Sequence, residues 1–204
     1  MRWQGLAGWL SAALMSVAVP AAAAAGAAGA AHDLARRIHA AADHGQRPYA
    51  IVDKQQARIF VFDAGGKLLG DSAVLLGAAR GDSSPADIAQ RTPASLRPHE
   101  RITPAGRFES EPGHNDKGEA IVWIDYDASL ALHRLRPSPA HERRAQRLAS
   151  PAPDDNRISL GCVVVPEAFY DKVVASLLGR RRGVIYVLPE AGVAPVLAGA
   201  SRWD

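Results

Sequence analysis

The sequence predicts a mainly β domain, of the β-rich α+β class, with a few helices at its edges. Short runs of β-branched and aromatic residues recur between turn signals, as at residues 49–53, 58–62 and 119–125. The chain contains 14 prolines and 18 glycines, which indicates many turns. About 175 residues remain after the N-terminal segment described below, enough for one sizeable core. One globular domain is therefore expected.

The predicted strands lie on both sides of a long polar loop that spans residues 80–100. A turn at residues 64–66 separates the second strand from the third. The expected strands are residues 49–53, 58–62, 67–69, 73–77, 119–125, 130–133 and 183–188.

Two helices and one shorter helix are expected around these strands. Residues 33–44 place Leu34, Ile38 and Ala41 on one face, and Gly45 follows as a stop signal. Pro166 begins a second helix, which Gly179 ends. Residues 134–157 are expected to be an insertion, with a short basic helix between pairs of prolines.

The first 25 residues have the pattern of a signal peptide. Arg2 precedes a largely apolar stretch, and small residues at positions 21–25 offer several cleavage sites. An uncleaved N-terminal anchor is the alternative. After cleavage the protein is expected to have no stable membrane span and to be exported to the periplasm or cell envelope. Residues 26–47 are then an N-terminal helical segment, and residues 189–204 an Ala- and Gly-rich tail.

The charge of the chain is concentrated in the insertion. Residues 134–157 contain six arginines and three acidic residues, a net charge of +3 that equals that of the whole chain. Aromatic residues do not alternate with these arginines, and the protein is expected to be exported, so nucleic acid is excluded as a partner. An anionic polymer or peptide outside the cytoplasm is the preferred partner, and a solvated helix face is the alternative.

Cys162 is the only cysteine, so it forms no internal disulfide in an oxidising compartment. It lies between Gly161 and a β-branched run, as expected of a thiol displayed where a strand begins. A nucleophilic thiol needs a base. Among the seven histidines only His133 ends a hydrophobic strand, which makes it the candidate base. The others lie in the N-terminal helix or its end, in predicted loops or in the insertion: His32, His39, His44, His99, His114 and His141.

The sequence contains no motif that is typical of metal or cofactor binding. There is no His-Glu-x-x-His pattern and no pair of cysteines, and residues 114–116 are interpreted as a hydrophilic loop. A glycine-rich phosphate cradle or dinucleotide fingerprint is also absent. No metal and no cofactor are therefore expected.

Three segments together resemble the L,D-transpeptidase catalytic domains of the YkuD type. They are Ile-Thr-Pro-Ala-Gly-Arg-Phe at residues 102–108, Ala-Leu-His at 131–133 and Ser-Leu-Gly-Cys at 159–162, in the order seen in that family. The stretch from residue 51 to Gly66 is similar to the opening hairpin of the family. The resemblance covers residues 48–188 and implies a mixed β sandwich or barrel with flanking helices.

The resemblance implies a function and a set of site residues. Cys162 becomes the nucleophile and His133 its base, in an enzyme that attacks the bond between an L-centre and a D-residue in a peptidoglycan stem peptide. The thioester passes to an amine, which forms a cross-link, or to water, which trims the stem. The backbone N–H groups of Gly161 and Cys162 are candidate oxyanion donors. Ser159 and Arg157 are candidate substrate-binding residues, with turn capping and surface charge as the alternatives.

The sequence departs from the family pattern at three positions. Leu160 stands where a histidine is common, Val164 where arginine or asparagine is common, and Arg134 where glycine often follows the histidine. The interval from His133 to Cys162 is also longer than usual. Two functions therefore remain open: a thiol acyltransferase or carboxypeptidase, and a cell-wall-binding module that keeps the fold without turnover.

Overall fold

A computed structural model describes residues 21–191, with side chains from residue 31 onward. Residues 1–20 of the predicted signal peptide and residues 192–204 of the predicted tail lie outside the described residues. Helix α1 spans Ala21–Ala40, so it begins earlier and ends earlier than predicted. Leu34 and Ile38 are buried as expected, whereas Ala41 is exposed. Ala42 adopts a left-handed φ of 51°, which ends the helix in a series of turns before the first strand.

Ten strands carry the fold within residues 21–191, and most of them coincide with the predicted ones. They are β1 Tyr49–Asp53, β2 Arg58–Phe62, β3 Leu68–Ala73, β4 Leu76–Gly77, β5 Gly106–His114, β6 Ala120–Asp125, β7 Leu130–Arg134, β8 Arg157–Ser159, β9 Val163–Val165 and β10 Gly183–Val187. The predicted mainly β fold class is thereby confirmed.

Eight of the strands form one sheet that nearly closes on itself. Its order is β3-β2-β1-β10-β5-β6-β7-β9, and β4 pairs separately with β8. Within the large sheet the pairs β1–β10 and β7–β9 are parallel, and the other pairs are antiparallel. Leu75, which follows the edge strand β3, exchanges backbone hydrogen bonds of 2.8 and 2.9 Å with Val164 on the opposite edge strand β9. This bridge brings the two edges together and covers them.

Strand β5 was not among the predicted strands. Residues 106–114 contain one large apolar side chain, Phe108, together with polar residues, Pro112 and Gly113, a composition that does not favour a strand. The structure nevertheless places β5 in the middle of the sheet, between β10 and β6. Pairing with two neighbouring strands outweighs the local preference, and the prediction that His114 lies in a loop was wrong, because it ends this strand.

Helices cover both faces of the sheet. On one face, Leu34 and Ile38 of α1 pack in a cluster with Tyr49, Phe60 and Tyr186. On the other face, Tyr170, Val174 and Leu178 join the alternate residues of the same strands. This second helix begins as α3, Glu167–Phe169, and continues as a π-helical turn over Tyr170–Val174.

The segment 134–157 contains the predicted short basic helix, α2, at Arg144–Leu148. Leu148 is buried against Leu75 and Val164, so the segment packs on the bridge between the two sheet edges. Asn156 is also buried and donates to the carbonyl of Val74 at 2.9 Å. Among residues 21–191, no helix combines the length and the apolar character needed to cross a membrane.

Candidate active site

A cavity of about 520 Å³ opens at the end of the sheet where β7 lies beside β9. Cys162 and His133 both line it, although 28 residues separate them in the chain. The other lining residues come mainly from β6, the turns on either side of it, and the polar loop: Ala89, Pro93, His114, Asn115, Asp116, Ile121, Trp123, Tyr126, Asp127, Ser129, Ala131 and Arg136.

The parallel register of β7 and β9 places these two side chains together. Leu132 is opposite Val163 and His133 is opposite Val164. Continuing this register places Ala131 opposite Cys162, and His133 follows Ala131 on the same face of the strand. With strands about 4.8 Å apart and a rise of about 3.3 Å per residue, the Cα atoms of His133 and Cys162 lie roughly 8 Å apart. An imidazole side chain spans much of that gap.

The imidazole of His133 is held by a backbone carbonyl. His133 is only 9% exposed, and its Nδ1 atom lies 2.7 Å from the carbonyl oxygen of Arg134. A carbonyl oxygen only accepts hydrogen bonds, so Nδ1 carries the proton and Nε2 keeps its lone pair. The sequence-adjacent carbonyl thereby fixes the tautomer that a general base requires.

Both members of the pair are neutral in the free protein. Burial, helped by the nearby positive charges of Arg136 and Arg144, lowers the pKa of His133 from 6.5 to about 4. Burial also raises the pKa of the Cys162 thiol above its usual 9.0. The site therefore holds a thiol and a neutral imidazole near pH 7. A neutral imidazole of this kind is able to take a proton from a thiol during attack, without a preformed ion pair.

The sulfur of Cys162 is surrounded by backbone groups. Its thiol donates to the carbonyl of Ser129 at 3.7 Å. The backbone amides of Ala131 and of Cys162 itself lower the thiol pKa, although burial outweighs them. These amides are donors that favour a negative sulfur. Ala131 has no polar side chain, so sequence patterns contain no signal for its role.

The turn before Cys162 is held by two buried hydroxyls. Thr103 is fully buried, donates to the carbonyl of Gly161 at 2.7 Å and accepts from the amide of Gly77 at 2.8 Å. Ser159 is also buried and donates to the carbonyl of Cys162 at 2.7 Å. Gly161 has a φ of +137°, and a Cβ there would lie 2.9 Å from the carbonyl oxygen of Ile102. Only glycine fits this close approach.

The predicted oxyanion donors are not equivalent in the structure. The amide of Gly161 donates to the hydroxyl of Ser159 at 3.1 Å, so it is engaged within the turn. The amide of Cys162 points toward its own sulfur instead. The Cys162 amide is therefore the better candidate of the two. Ser159 lies beneath the turn and does not line the cavity with Cys162.

Arg157 lies away from the cavity, in a buried network. Its guanidinium forms a double contact with Glu190, at 2.9 and 3.0 Å, and donates to the carbonyl of Lys54 at 2.9 Å. Lys54 has a completely buried side chain and donates to Asp82 and to the carbonyls of Gly81 and Thr103. The structure thus does not bring Arg157 to Cys162, and its bonds are those of a structural cation.

Arg136 is the arginine that lines the cavity instead. Its Nε atom lies 2.9 Å from a carboxylate oxygen of Glu119, in the turn before β6. The sequence placed Arg136 in the basic segment without distinguishing it from the other five arginines. Its position three residues after His133 was the one sequence feature that indicated a place beside the candidate base.

A second, much smaller cavity of about 20 Å³ is also lined by Cys162, and it shares Pro93 and Ser129 with the large cavity. It is formed largely by the polar loop, through Ile88, Pro93 and Leu96, and by Leu160 at the turn. Glu100 is its charged residue, and two hydrogen bonds from Arg91 hold that carboxylate. Cys162 therefore lines both a large, polar cavity and a small one that is mainly apolar. Within residues 21–191, no group of three or more histidine, cysteine or acidic side chains is arranged to hold a metal ion.

Solved structures that resemble the chain include L,D-transpeptidase catalytic domains. The catalytic domain of the E. faecium L,D-transpeptidase is 17% identical, with a TM-score of 0.38 over 70% of this chain and 98% of that one. An L,D-transpeptidase from Mycobacterium smegmatis is 13% identical, with a TM-score of 0.39 over 69% and 58%. The helical cell shape determining protein Pgp2 from Campylobacter jejuni is 12% identical, with a TM-score of 0.42 over 78% and 50%.

The chain spans about half the length of several of these structures, 49% in the case of an Ldtfm carbamoyl enzyme formed with avibactam. No family model matches the sequence, and no curated protein matches it.

Proposed function

We propose that the protein is an exported cysteine acyltransferase that acts on peptidoglycan stem peptides, with Cys162 as nucleophile and His133 as general base. The observation that supports this most is that both residues line one cavity while the Arg134 carbonyl holds Nδ1 of the imidazole. That bond leaves Nε2 free to accept the thiol proton. A proposed nucleophile and a proposed base on one cavity, with a carbonyl that orients the base, are what this chemistry requires, and this supports the proposal.

The choice of substrate follows from the three segments that carry the family resemblance. Residues 131–133 form one wall of the cavity, and the turn at 159–162 presents the thiol. Thr103, from the segment 102–108, is hydrogen-bonded to Gly161 in that turn. Segments far apart in sequence therefore meet around a single sulfur atom, which is how a shared active-site pattern is expected to behave.

The first half-reaction is an acyl transfer to sulfur. As Sγ attacks the carbonyl between the L-centre and the D-residue, Nε2 of His133 takes the thiol proton and an S–C bond forms. The amide of Cys162 is the nearest candidate donor to the oxyanion. When the intermediate collapses, the C–N bond breaks and His133 returns its proton to the departing amine. A thioester remains on Cys162, and the terminal D-alanine leaves.

The second half-reaction depends on the acceptor. An amine of a neighbouring stem yields a cross-link, and water yields a trimmed stem, with His133 again accepting the proton. Asp116 and Asp127 line the same cavity and carry the charge that attracts an ammonium group. This favours an amine acceptor, and product analysis separates the two reactions.

The test combines product release with covalent labelling. Purified protein is incubated with a synthetic tetrapeptide stem ending in D-alanine, and free D-alanine and dimeric peptide are quantified by mass spectrometry. We expect release by the wild type and a drop of at least about 10³-fold for Cys162→Ala, which removes the nucleophile. Intact mass after exposure to a carbapenem should show one adduct, and none on the variant.

The opposite result identifies the alternative function. If the wild type releases no D-alanine and takes up no carbapenem, yet binds peptidoglycan as well as Cys162→Ala does, the protein is a cell-wall-binding module. His141→Gln is the matched control for the base, since His141 belongs to the adjoining segment and does not line the cavity.

A further inference from the structure

Arg136 is the one permanently positive side chain among the described residues that line the large cavity. The other charged residues there are Asp116 and Asp127, and the imidazole of His133 is neutral near pH 7. Among these described lining residues, Arg136 is therefore the permanently charged partner for an anionic group of a ligand, close to the proposed catalytic pair.

The guanidinium of Arg136 also has hydrogen-bond donors that no described residue engages. Within residues 31–191 its partner is Glu119, which lies 2.9 Å from Nε. The other arginines of the segment are engaged elsewhere: Arg134 with Asp171, Arg143 with Gln146, Arg144 with Glu142, Arg147 with the carbonyls of Glu142 and Asp155, and Arg157 with Glu190. The terminal nitrogens of Arg136 remain available, in the fork geometry that matches a carboxylate.

The reaction itself indicates which carboxylate Arg136 meets. The departing amine must receive its proton from His133, so the leaving residue lies on the His133 side of Cys162. In a terminal amino acid the carboxylate is attached to the same carbon as that amine. Arg136 follows His133 by three residues and acts electrostatically on both His133 and Cys162. A carboxylate carried by the leaving residue therefore lies within its reach.

The small cavity does not offer an equivalent place. Its lining is mainly apolar, with Ser84, Ser129 and Glu100 as the polar side chains, and the carboxylate of Glu100 is held in the charged form by Arg91. A second carboxylate there would meet like charge and no free cation. We infer that Arg136 binds the terminal carboxylate of the donor stem peptide, an inference that rests on the proposed function.

The experiment compares two donor peptides that differ in a single group. One tetrapeptide ends in D-alanine and the other in D-alaninamide, and release of the terminal residue is measured for both. We expect the wild type to prefer the carboxylate donor by about 10- to 100-fold in kcat/KM, the worth of a charge-assisted pair. Arg136→Gln should remove this preference, mainly by raising KM for the carboxylate donor, and Arg136→Lys should restore part of it.

The control is Arg143→Gln, since Arg143 belongs to the same segment, bonds to Gln146 and does not line the cavity. It should leave the ratio of the two donors unchanged. If Arg136→Gln slows both donors equally, or keeps the wild-type preference, Arg136 is a structural partner of Glu119 and the inference is overturned.

Failure of the proposed function is distinguishable from failure of this inference. Calorimetric binding of the same two peptides is measured in the Cys162→Ala background, where no turnover occurs. Tighter binding of the carboxylate peptide that Arg136→Gln abolishes supports the carboxylate site even if the wild type releases nothing. Equal binding of both peptides overturns it, whatever the turnover.

Discussion

Arg136 and Arg157 lie near the two ends of one segment and have different surroundings. Arg157 has 7% of its side chain exposed and contacts both oxygens of Glu190. Arg136 has 33% of its side chain exposed, one ion pair through Nε, and a position on the cavity that contains Cys162. The residue type is the same at both ends, so the difference is made by their partners.

The comparison teaches how to separate a structural cation from one that is available to a ligand. A buried guanidinium needs compensating partners within the protein, and Arg157 has them in Glu190 and the Lys54 carbonyl. A guanidinium that is one-third exposed and has unused donors is able to exchange a bound water for a carboxylate. Substitutions at the Arg157 end should therefore change stability, and substitutions at the cavity end should change turnover.

The largest effect is expected at the cavity end. His133→Gln removes the base while keeping a polar side chain of similar size, and kcat should fall by roughly 10²- to 10⁴-fold. The same variant should slow alkylation of Cys162 near neutral pH, because the proton acceptor is gone. Steady-state release of D-alanine and the rate of iodoacetamide labelling measure the two effects.

An alkylation rate that does not depend on residue 133 would leave the Cys162–His133 pair without support. His141→Gln, at an exposed position outside the cavity, should behave as the wild type in both assays.

The next effect is expected at the Arg157 end. Arg157→Met keeps the volume of the side chain and leaves Glu190, which is only 16% exposed, without its main partner. The free energy of unfolding should drop by about 3 to 5 kcal/mol, as when one member of a buried ion pair is removed. Urea denaturation measures this loss. KM for the stem peptide should stay at its wild-type value, and a raised KM without loss of stability would reverse the assignment of the two arginines.

Acid should destabilise the folded protein through His133, at the cavity end. Its pKa is about 4 in the folded protein and 6.5 in the unfolded chain, so the unfolded state binds more protons between these values. Stability is therefore lost as the pH falls from about 6.5 to 4, by roughly 3 kcal/mol at most. Unfolding measured across this range should show a steeper decline for the wild type than for His133→Gln. Parallel curves would mean that His133 is not buried in its neutral form.

The smallest effect is expected at Thr103. Its carbonyl accepts from Lys54, in the network around Arg157, and its hydroxyl bonds to Gly161, in the turn that presents Cys162. Thr103→Val removes the hydroxyl that bonds to Gly161 and Gly77, both in buried surroundings, and should cost about 1 to 3 kcal/mol. Because the turn that presents Cys162 loosens, kcat should also fall. Thr103→Ser keeps the hydroxyl and should recover most of both properties. If valine and serine behave alike in urea denaturation and turnover, the bond to Gly161 contributes nothing.

Much of the fold was predictable because it is recorded in local patterns. Strands β1 and β2 coincide with the predicted residues 49–53 and 58–62, since β-branched and aromatic runs bounded by turns favour strands. Strand β5 was missed because its preference is set by its two neighbours, β10 and β6. Helix α1 ended earlier than its apolar pattern suggested, because left-handed Ala42 interrupts it.

For the candidate site, the sequence by itself determined the proposed nucleophile and base: one cysteine after a glycine, and one histidine at the end of an apolar strand. Residue type limits which groups act as nucleophile or base, so these two residues are identified without knowledge of the tertiary structure. Only the tertiary structure decided which arginine lines the cavity, which amide of the turn Ser159 engages and what Thr103 holds. Those roles depend on hydrogen bonds between residues as distant as Thr103 and Gly161, and sequence patterns record local preference, not long-range partners.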